Sequence, residues 1–224
     1  MSELPLWTSA LVIVAHPDDE SFGLGAVLST LAARGTRVHV LCFTQGEAST
    51  LHGVDGDLAL VRAEELRGAA DQLGLDGVRL LGFPDGALAA QPLDVLLAPA
   101  RSYAAEVRPE GLLAFDPSGI TGHPDHQAAT QVAERLADEL DLGLLAWTLA
   151  AEVCDQLHAE LGIPFQGHSP AQVDIVLEVG RTRQRRAIDC HASQAVPGSP
   201  LWRRLELLGD REHLRWLRRA ASGS

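Results

Sequence analysis

Residues 10–20 of the chain read ALVIVAHPDDE, and the apolar first half of this stretch indicates the fold. Ala10 to Ala15 is an unbroken apolar, β-rich run, which is typical of a strand buried on both faces of a sheet. Small and apolar residues at helical spacing follow from Gly23 to Ala33 and stop at Gly35, and Thr36 to Phe43 is a second β-rich run. The stretch therefore opens a βαβ unit, which favours a parallel sheet.

The same alternation continues along the rest of the chain. Apolar runs predict further strands at 78–83, 111–115, 143–150 and 173–179. Helical patterns lie at 57–73, 93–107 and 123–140, and two Arg-rich helices are predicted to finish the chain. This order predicts an α/β protein of three layers, α/β/α, with a mainly parallel sheet of strand order 3-2-1-4-5. No repeat or long linker divides residues 1–224, so we expect a single domain, with 154–172 as a loop near the site.

The composition is that of an ordinary globular protein, with 46% hydrophobic and 21% charged residues. The chain has no lysine and a net charge of -12, which argues against a nucleic-acid partner because phosphates repel an acidic surface. No apolar run approaches the ~20 residues that span a membrane. The three cysteines are widely spaced, and Met1 to Trp7 lacks the basic start of a signal peptide. We therefore expect a cytoplasmic protein without a membrane partner, and the sequence leaves open whether it forms a homo-oligomer.

Two short segments place several metal-binding side chains directly after predicted strands. The first is HPDDE at 16–20, after strand one, and the second is GHPDH at 122–126, after strand four. In an open α/β sheet, ligands bind at the carboxyl ends of the strands, where the strand order reverses. Strands one and four flank that point in the order 3-2-1-4-5. The two segments are therefore expected to face each other.

Three of these side chains suit a catalytic zinc ion. Such an ion usually takes three protein ligands and keeps one position for water. His16 and Asp19 can converge from one turn, and His126 can join them from the second segment. Any one of these residues alone is more often structural, so the prediction depends on finding both clusters after strands.

The titratable residues that remain suit the hydrolysis of an amide. Asp18 can act as general base on a water molecule that the metal activates. His123 can donate a hydrogen bond to the oxyanion or protonate the leaving amine. Asp125 can orient His123 or raise its pKa. We therefore count Asp18, His123 and Asp125 as candidate catalytic residues.

Three other functions remain open on the sequence alone. Gly23-Leu24-Gly25 matches part of a GxGxxG pattern, but Leu28 replaces the third glycine and the strand ends eight residues earlier, which disfavours dinucleotide binding. Another class of metallohydrolase, such as a phosphoesterase, would in its two-metal form need extra carboxylates, for which Glu20 and Asp116 are available. A non-catalytic metal-binding scaffold is the third alternative, and the presence of Asp18 disfavours it.

At the two segments the chain resembles the LmbE-like, or PIG-L, family of zinc-dependent N-acetylglucosaminyl de-N-acetylases. The strings AHPDDE at 15–20 and GHPDH at 122–126 match its two signatures. Weaker matches extend along nearly the whole chain, at TQGE 44–47, Arg62 with Glu65-Leu66, LGFPDG 81–86 and HASQ 191–194. The resemblance implies a Rossmann-like fold and an enzyme that removes an N-acyl group, chiefly N-acetyl, from a small amino-sugar conjugate.

The resemblance also implies a role for each matching residue of the two segments. His16, Asp19 and His126 would bind zinc, for which iron(II) can substitute. Asp18 would be the general base, and His123 would stabilise the transition state or act as the acid.

Three residues outside the two segments are expected to bind substrate. Arg62 and Asp85 resemble residues that contact substrate hydroxyls in the family, and Glu47 of the TQGE stretch lies close to the site by its position. The chain departs from the family at Gln184, where a lysine often precedes the HASQ stretch. This departure puts in doubt an ion pair of that lysine, but not the metal site.

Overall fold

The computed structural model describes residues 3–51 and 56–220. Within these ranges one sheet contains seven strands, which are β1 (Ser9–Val14), β2 (Arg37–Thr44), β3 (Gly77–Phe83), β4 (Gly111–Phe115), β5 (Gly143–Thr148), β6 (Ile175–Glu178) and β7 (Arg211–Arg218). The α-helices of the same ranges are α1 (Asp19–Phe22), α2 (Gly25–Ala33), α3 (Leu58–Leu73), α4 (Leu93–Val107), α5 (Gly119–Gly122), α6 (Pro124–Leu140), α7 (Ala151–Leu161), α8 (Thr182–Cys190) and α9 (Pro200–Leu208). In the part of the chain so described, no helix has both the length and the apolar character to cross a membrane.

The strands lie in the order β3-β2-β1-β4-β5-β7-β6. The first five of this series pair in parallel, whereas β7 runs antiparallel to both β5 and β6. The predicted order 3-2-1-4-5 and the mainly parallel sheet are therefore confirmed. The strand order reverses between β1 and β4, which pair with Ala10 opposite Gly111. This reversal places the crevice of the fold between the ends of these two strands.

Apolar side chains cover both faces of the sheet. All six residues of β1 are buried. Leu11 and Ile13 pack with residues of α4 and α6 on one face, while Val12 and Val14 pack with residues of α2 on the other. This burial on both sides explains why the strand shows no alternation of apolar and polar residues, and it confirms the three layers.

The last element of the chain differs from the prediction. The two predicted Arg-rich helices are present as α8 and α9, but they do not finish the chain, because Arg211–Arg218 after them is the strand β7 and not part of a helix. Glu212 and Leu214 are fully buried and alternate with less buried residues, which is the period of a strand. The prediction was wrong because pairing with β5 and β6, which lie far away in sequence, decides the structure here.

The segment 154–172 also differs from the expected loop. Its first part belongs to the helix α7, which ends at Leu161. The rest returns to the site, since the amide of Gln166 donates a hydrogen bond of 2.7 Å to the carbonyl of Ile120. The expected position near the site is therefore correct only for the residues after α7.

Candidate metal centre

The two metal-binding segments lie where the carboxyl ends of β1 and β4 meet. HPDDE leads from β1 into α1, and GHPDH leads from α5 into α6. Because β1 and β4 are parallel neighbours, the chain leaves them side by side. The rings of His16 and His126 are 5.1 Å apart between centroids in this crevice.

Side-chain atoms of His16, Asp19 and His126 face one another. Nε2 of His126 lies 3.2 Å from Nδ1 of His16 and 3.2 Å from Oδ1 of Asp19. Nδ1 of His16 lies 3.6 Å from the other Asp19 oxygen. One ligand atom from each residue lies within 4.8 Å of the others, which is close enough for all three to hold one metal ion. The structure thus brings together the three ligands that the sequence predicts.

The second nitrogen of each histidine has an acceptor of its own. Nδ1 of His126 lies 3.2 Å from the carbonyl oxygen of Gly119. Nε2 of His16 lies 3.1 Å from a carboxylate oxygen of Asp85 and 3.3 Å from one of Asp125. Each ring can therefore donate on one side and present a lone pair on the other, as a metal ligand must. Two such imidazoles and one carboxylate fit a catalytic zinc ion.

Buried carboxylates make this crevice favourable for a cation. Burial alone lowers the pKa of His16, but hydrogen bonds to three carboxylates, that of Asp125 first, raise it to about 12. Burial would raise the pKa of Asp19, but the charge of His126 and its hydrogen bond hold it well below the usual value. The carboxylates thus favour the protonated, positively charged form of the histidines. A bound divalent cation can supply the positive charge in place of these protons.

Asp18 lies beside the three predicted ligands. Its Oδ2 accepts a hydrogen bond of 2.8 Å from Nη2 of Arg62. Burial raises the pKa of Asp18 to about 6, although the Arg62 charge acts in the opposite direction. A carboxylate whose pKa lies near the working pH is suited to accept a proton and to release it again.

Arg62 is predicted from the family resemblance to contact a substrate hydroxyl, but its guanidinium is engaged by the protein. Besides Asp18, it donates to the carbonyl of Gly46 at 2.7 Å and to the carbonyl of Pro17. Only 3% of Arg62 is exposed. The side chain therefore holds Asp18 in place, with one edge at the wall of the site.

His123 caps the N-terminus of α6. Its Nδ1 accepts a hydrogen bond of 3.2 Å from the backbone amide of Asp125, which leaves the proton of a neutral ring on Nε2. Burial lowers the pKa of His123, and the nearby His126 and His16 lower it further. A neutral His123 can thus donate one hydrogen bond from Nε2.

Asp125 is fully buried, and its charge acts to raise the pKa of His123, one of the two roles predicted for it, but its carboxylate makes its hydrogen bonds elsewhere. It accepts hydrogen bonds from the backbone amides of Gly86 at 2.7 Å and Leu88 at 3.0 Å, and it lies against Nε2 of His16. The orientation of His123 comes from the Asp125 amide instead. These hydrogen bonds were not predicted, because the amides belong to the turn after β3 and lie outside the GHPDH segment.

Asp85 and Glu47 connect the loops around the site. Asp85 accepts a hydrogen bond of 3.0 Å from the amide of Ala48 and also contacts His16. Glu47 is exposed, and its carboxylate accepts a hydrogen bond of 2.9 Å from the amide of Asp85. Asp85 lines the cavity beside the site, whereas the contact of Glu47 fastens one loop to another.

Two adjoining cavities open onto the metal-binding residues. The first, here called the polar cleft, has a volume of about 470 Å³ and a lining that includes Asp18, Ser49, Thr50, Asp85 and His123. The second, here called the apolar pocket, has a volume of about 350 Å³ and a lining that includes Phe22, Phe115, Ile120, Trp147, Phe165 and Leu201. Asp18, Asp19 and His126 border both cavities. A substrate whose reacting bond lies at these residues can therefore extend into both.

The sequence did not indicate several residues of the apolar pocket. Trp147 belongs to β5 and reads as an ordinary core residue, and Arg204 of α9 belongs to an Arg-rich stretch. Neither follows a parallel strand at its carboxyl end, which was the signal that located the other residues. Only the packing of α9 beside the site reveals them.

The fold and the donor set together define a Rossmann-like α/β protein with a candidate metal centre of two histidines and one aspartate. The chain belongs to the PIG-L family, described as GlcNAc-PI de-N-acetylase, whose model matches residues 11–137. That range includes both metal-binding segments.

Relatives by sequence carry the name 1D-myo-inositol 2-acetamido-2-deoxy-alpha-D-glucopyranoside deacetylase. The protein from Streptomyces avermitilis is 33% identical over 181 residues, which cover 70% of this chain and 58% of the relative. The protein from Mycolicibacterium vanbaalenii is 29% identical over 231 residues, which cover 82% of this chain and 80% of the relative. The chain spans about half the length of several of the relatives it matches.

The fold is also similar to solved structures. The zinc-inhibited form of a teicoplanin deacetylase superposes with a TM-score of 0.73 at 21% sequence identity, and the match covers 93% of this chain and 97% of the other. At this level of identity the likeness shows a shared fold.

Proposed function

We propose that the protein is a zinc-dependent hydrolase that removes an N-acyl group, chiefly N-acetyl, from a small amino-sugar conjugate. The observation that carries the proposal is the position of Asp18, whose carboxylate is held by Arg62 beside three converging metal-binding atoms. The names of the relatives, which are deacetylases of an acetamido sugar, support the substrate class. Iron(II) is the alternative metal, because the same donor set accepts it.

The residues of the chain divide the work of amide hydrolysis. His16, Asp19 and His126 would hold the zinc ion. When bound, zinc supplies a Lewis acid that polarises the amide carbonyl and activates a water molecule. Asp18 accepts the proton of the attacking water on its carboxylate. His123 donates from Nε2 to the oxygen on which negative charge develops.

A two-metal phosphoesterase is disfavoured by the partners of the extra carboxylates. Both oxygens of Glu20 accept hydrogen bonds, one from the Asp18 amide at 2.9 Å and the other from Ser21 at 2.6 Å and His191 at 2.7 Å. Asp116 lies 2.9 Å from Nε2 of His168. Neither carboxylate is free to complete a second metal site, which favours one zinc ion per chain.

The test is the release of amine from N-acetylglucosamine conjugates by protein depleted of metal and then loaded with zinc or iron(II). Asp18→Asn is the decisive variant, because asparagine keeps the shape of the side chain and tolerates a positive φ. We expect Asp18→Asn to keep the metal, measured by elemental analysis, and to lose about 10²–10⁴-fold in kcat. His126→Ala should lose both metal and turnover. Near-normal turnover of Asp18→Asn would show that the base is assigned wrongly.

A further inference from the structure

The two cavities assign the two halves of the substrate to opposite sides of the metal-binding residues. An amide joins an amine on one side to an acyl group on the other. The polar cleft offers hydroxyl and carboxylate groups such as those of Ser49, Thr50 and Asp85, which suit the hydroxyls of a sugar. The apolar pocket offers aromatic and aliphatic walls, which suit the carbon chain of an acyl group. With the reacting bond at Asp18, the sugar lies in the polar cleft and the acyl group in the apolar pocket.

The apolar pocket is larger than an acetyl group requires. Its volume of about 350 Å³ corresponds to roughly ten non-hydrogen atoms, if each takes the ~30 Å³ of a liquid water molecule. An acetyl group has three such atoms. The pocket therefore has room for an acyl group several carbons longer.

Besides Asp18, Asp19 and His126, which border both cavities, Arg204 also lines the apolar pocket. Nη2 of Arg204 donates a hydrogen bond of 2.7 Å to the carbonyl of Phe22, and the guanidinium lies 5.3 Å from the centroid of the Trp147 ring. Its Nε is buried and has no hydrogen-bond partner. Burial lowers the pKa of Arg204 to about 10. Arg204 is half-buried, and a cation with a buried, unmet donor is stabilised by a negatively charged partner.

No carboxylate of residues 3–51 and 56–220 lies within 4.0 Å of the Arg204 nitrogens. Glu212 is the first acid whose charge acts on it, but the two Glu212 oxygens already accept from Arg181 at 2.5 Å and from Trp147 at 2.7 Å. The adjacent Arg203 differs sharply, since it is paired with Glu160 and Glu206 at the surface. Arg204 thus differs from Arg203 in two ways: it lines the pocket, and it has no counterion among the described residues.

We propose that the apolar pocket receives an N-acyl group longer than acetyl, and that Arg204 pairs with a carboxylate at the far end of that group. The inference rests on the proposed function and names its acyl specificity. The reaction stays a hydrolysis: water adds across the amide, the C–N bond breaks, and the products are the free amine and a dicarboxylic acid. Arg204 is then a specificity-determining residue that does not touch the reacting atoms.

The experiment compares three substrates on zinc-loaded protein: N-acetyl, N-glutaryl and N-(4-carbamoylbutanoyl) glucosamine. The last two have the same size and differ only in the charge at the end of the chain. We expect kcat/KM for the glutaryl substrate to exceed that for the carbamoyl substrate by about ten-fold or more, because the ion pair replaces a neutral contact. The comparison uses the unaltered protein, so it decides the question even if a variant folds poorly.

Variants then assign the preference to one residue. Arg204→Met should lose the preference for glutaryl, Arg204→Lys should keep part of it, and the matched control Arg203→Met should keep all of it. Equal rates for the two long substrates, or a preference that survives Arg204→Met in folded protein, would overturn the inference. If the protein turns over the acetyl substrate alone, the acyl assignment fails while the proposed function stands. If zinc-loaded protein releases amine from none of the three, both fail.

Discussion

The backbone of Asp18 has φ of 121° and ψ of -25°, a conformation that residues other than glycine seldom adopt. Its amide donates to Glu20, and the same carboxyl group accepts from His191. Glu20 and His191 are both fully buried. This chain of hydrogen bonds maintains the strained conformation and turns the Asp18 carboxylate towards the metal-binding residues. We therefore expect Glu20 and His191 to act as positioning residues.

Replacement of Glu20 tests this role. Glu20→Gln puts a donor where the carboxylate now has only accepting oxygens, so at least one of its three hydrogen bonds must break or reverse its direction. We expect kcat to fall roughly 10–100-fold, with zinc content unchanged and KM nearly unchanged. Steady-state kinetics and elemental analysis check this, with the exposed Glu64→Gln as matched control. A fall in metal content together with kcat would show that Glu20 supports the ligands instead of the base.

The residues of the candidate metal centre were easier to predict than the contacts that hold them. The two short segments name His16, Asp19 and His126 because residue type and strand ends restrict the choice. The hydrogen-bond partners of the Asp125 carboxylate were not predicted: they are His16 and two amides of the turn after β3. Such contacts depend on a third stretch of chain, and spacing within one motif carries no information about it.

The connection between β2 and α3 determines how Arg62 approaches the site. Gly46 has φ of 66°, and a Cβ built on it would lie 1.9 Å from Nη1 of Arg62. The glycine is thus needed twice, for its left-handed backbone and for the close approach of the guanidinium. The packing of the loop after β2 against α3 thus depends on this contact between Gly46 and Arg62.

Gly46→Ala should therefore impair the site more than the fold. We expect the displaced Arg62 to release Asp18 and kcat to fall about 10²-fold. Gly35→Ala is the matched control, because Gly35 has φ of 88° with nothing within 4 Å of a built Cβ. Both variants should lose roughly 1 kcal/mol of stability from the positive φ, measured by urea unfolding. If Gly35→Ala impaired turnover equally, backbone strain and not the collision with Arg62 would be the cause.

Among the elements, the parallel strands were predictable and β7 was not. Strands buried on both faces show their burial directly in unbroken apolar runs, as β1 does. In β7 the buried Glu212 replaces the expected apolar residue, because it accepts hydrogen bonds from Arg181 and Trp147. Because this buried residue is a carboxylate and its neighbours are arginines, the alternation of apolar and polar residues that is typical of a strand cannot be recognised in the sequence.

At the scale of the molecule, the metal centre joins three connections of the sheet. His16 and Asp19 follow β1, Asp85 follows β3, and Asp125 with His126 begins the helix after β4. The carboxylates from these three connections lie close together with few positive charges between them. Removal of a bound cation must therefore destabilise the packing of all three connections.

Zinc should therefore raise the melting temperature. At free zinc about a thousand times Kd the gain is about 4 kcal/mol, which corresponds to a shift of roughly 8–16 °C for a chain of this length. Differential scanning fluorimetry with zinc and with a chelator measures it. Asp18→Asn should keep the shift and His126→Ala should lose most of it. A shift that survives His126→Ala would place the ion elsewhere.

The family model ends at residue 137, and this boundary divides the residues around the site into an earlier and a later group. The proposed ligands and proton-transfer groups all come before it, as do Phe22, Phe115 and Ile120 of the apolar pocket, whereas Trp147, Phe165, Leu201 and Arg204 of the same pocket come after it. Under the proposed acyl specificity, the residue that recognises the end of the acyl group is thus encoded after the residues of the reaction. An ancestral protein of this design could change which acid it releases through recombination or drift in its last third, while its hydrolytic apparatus was inherited intact.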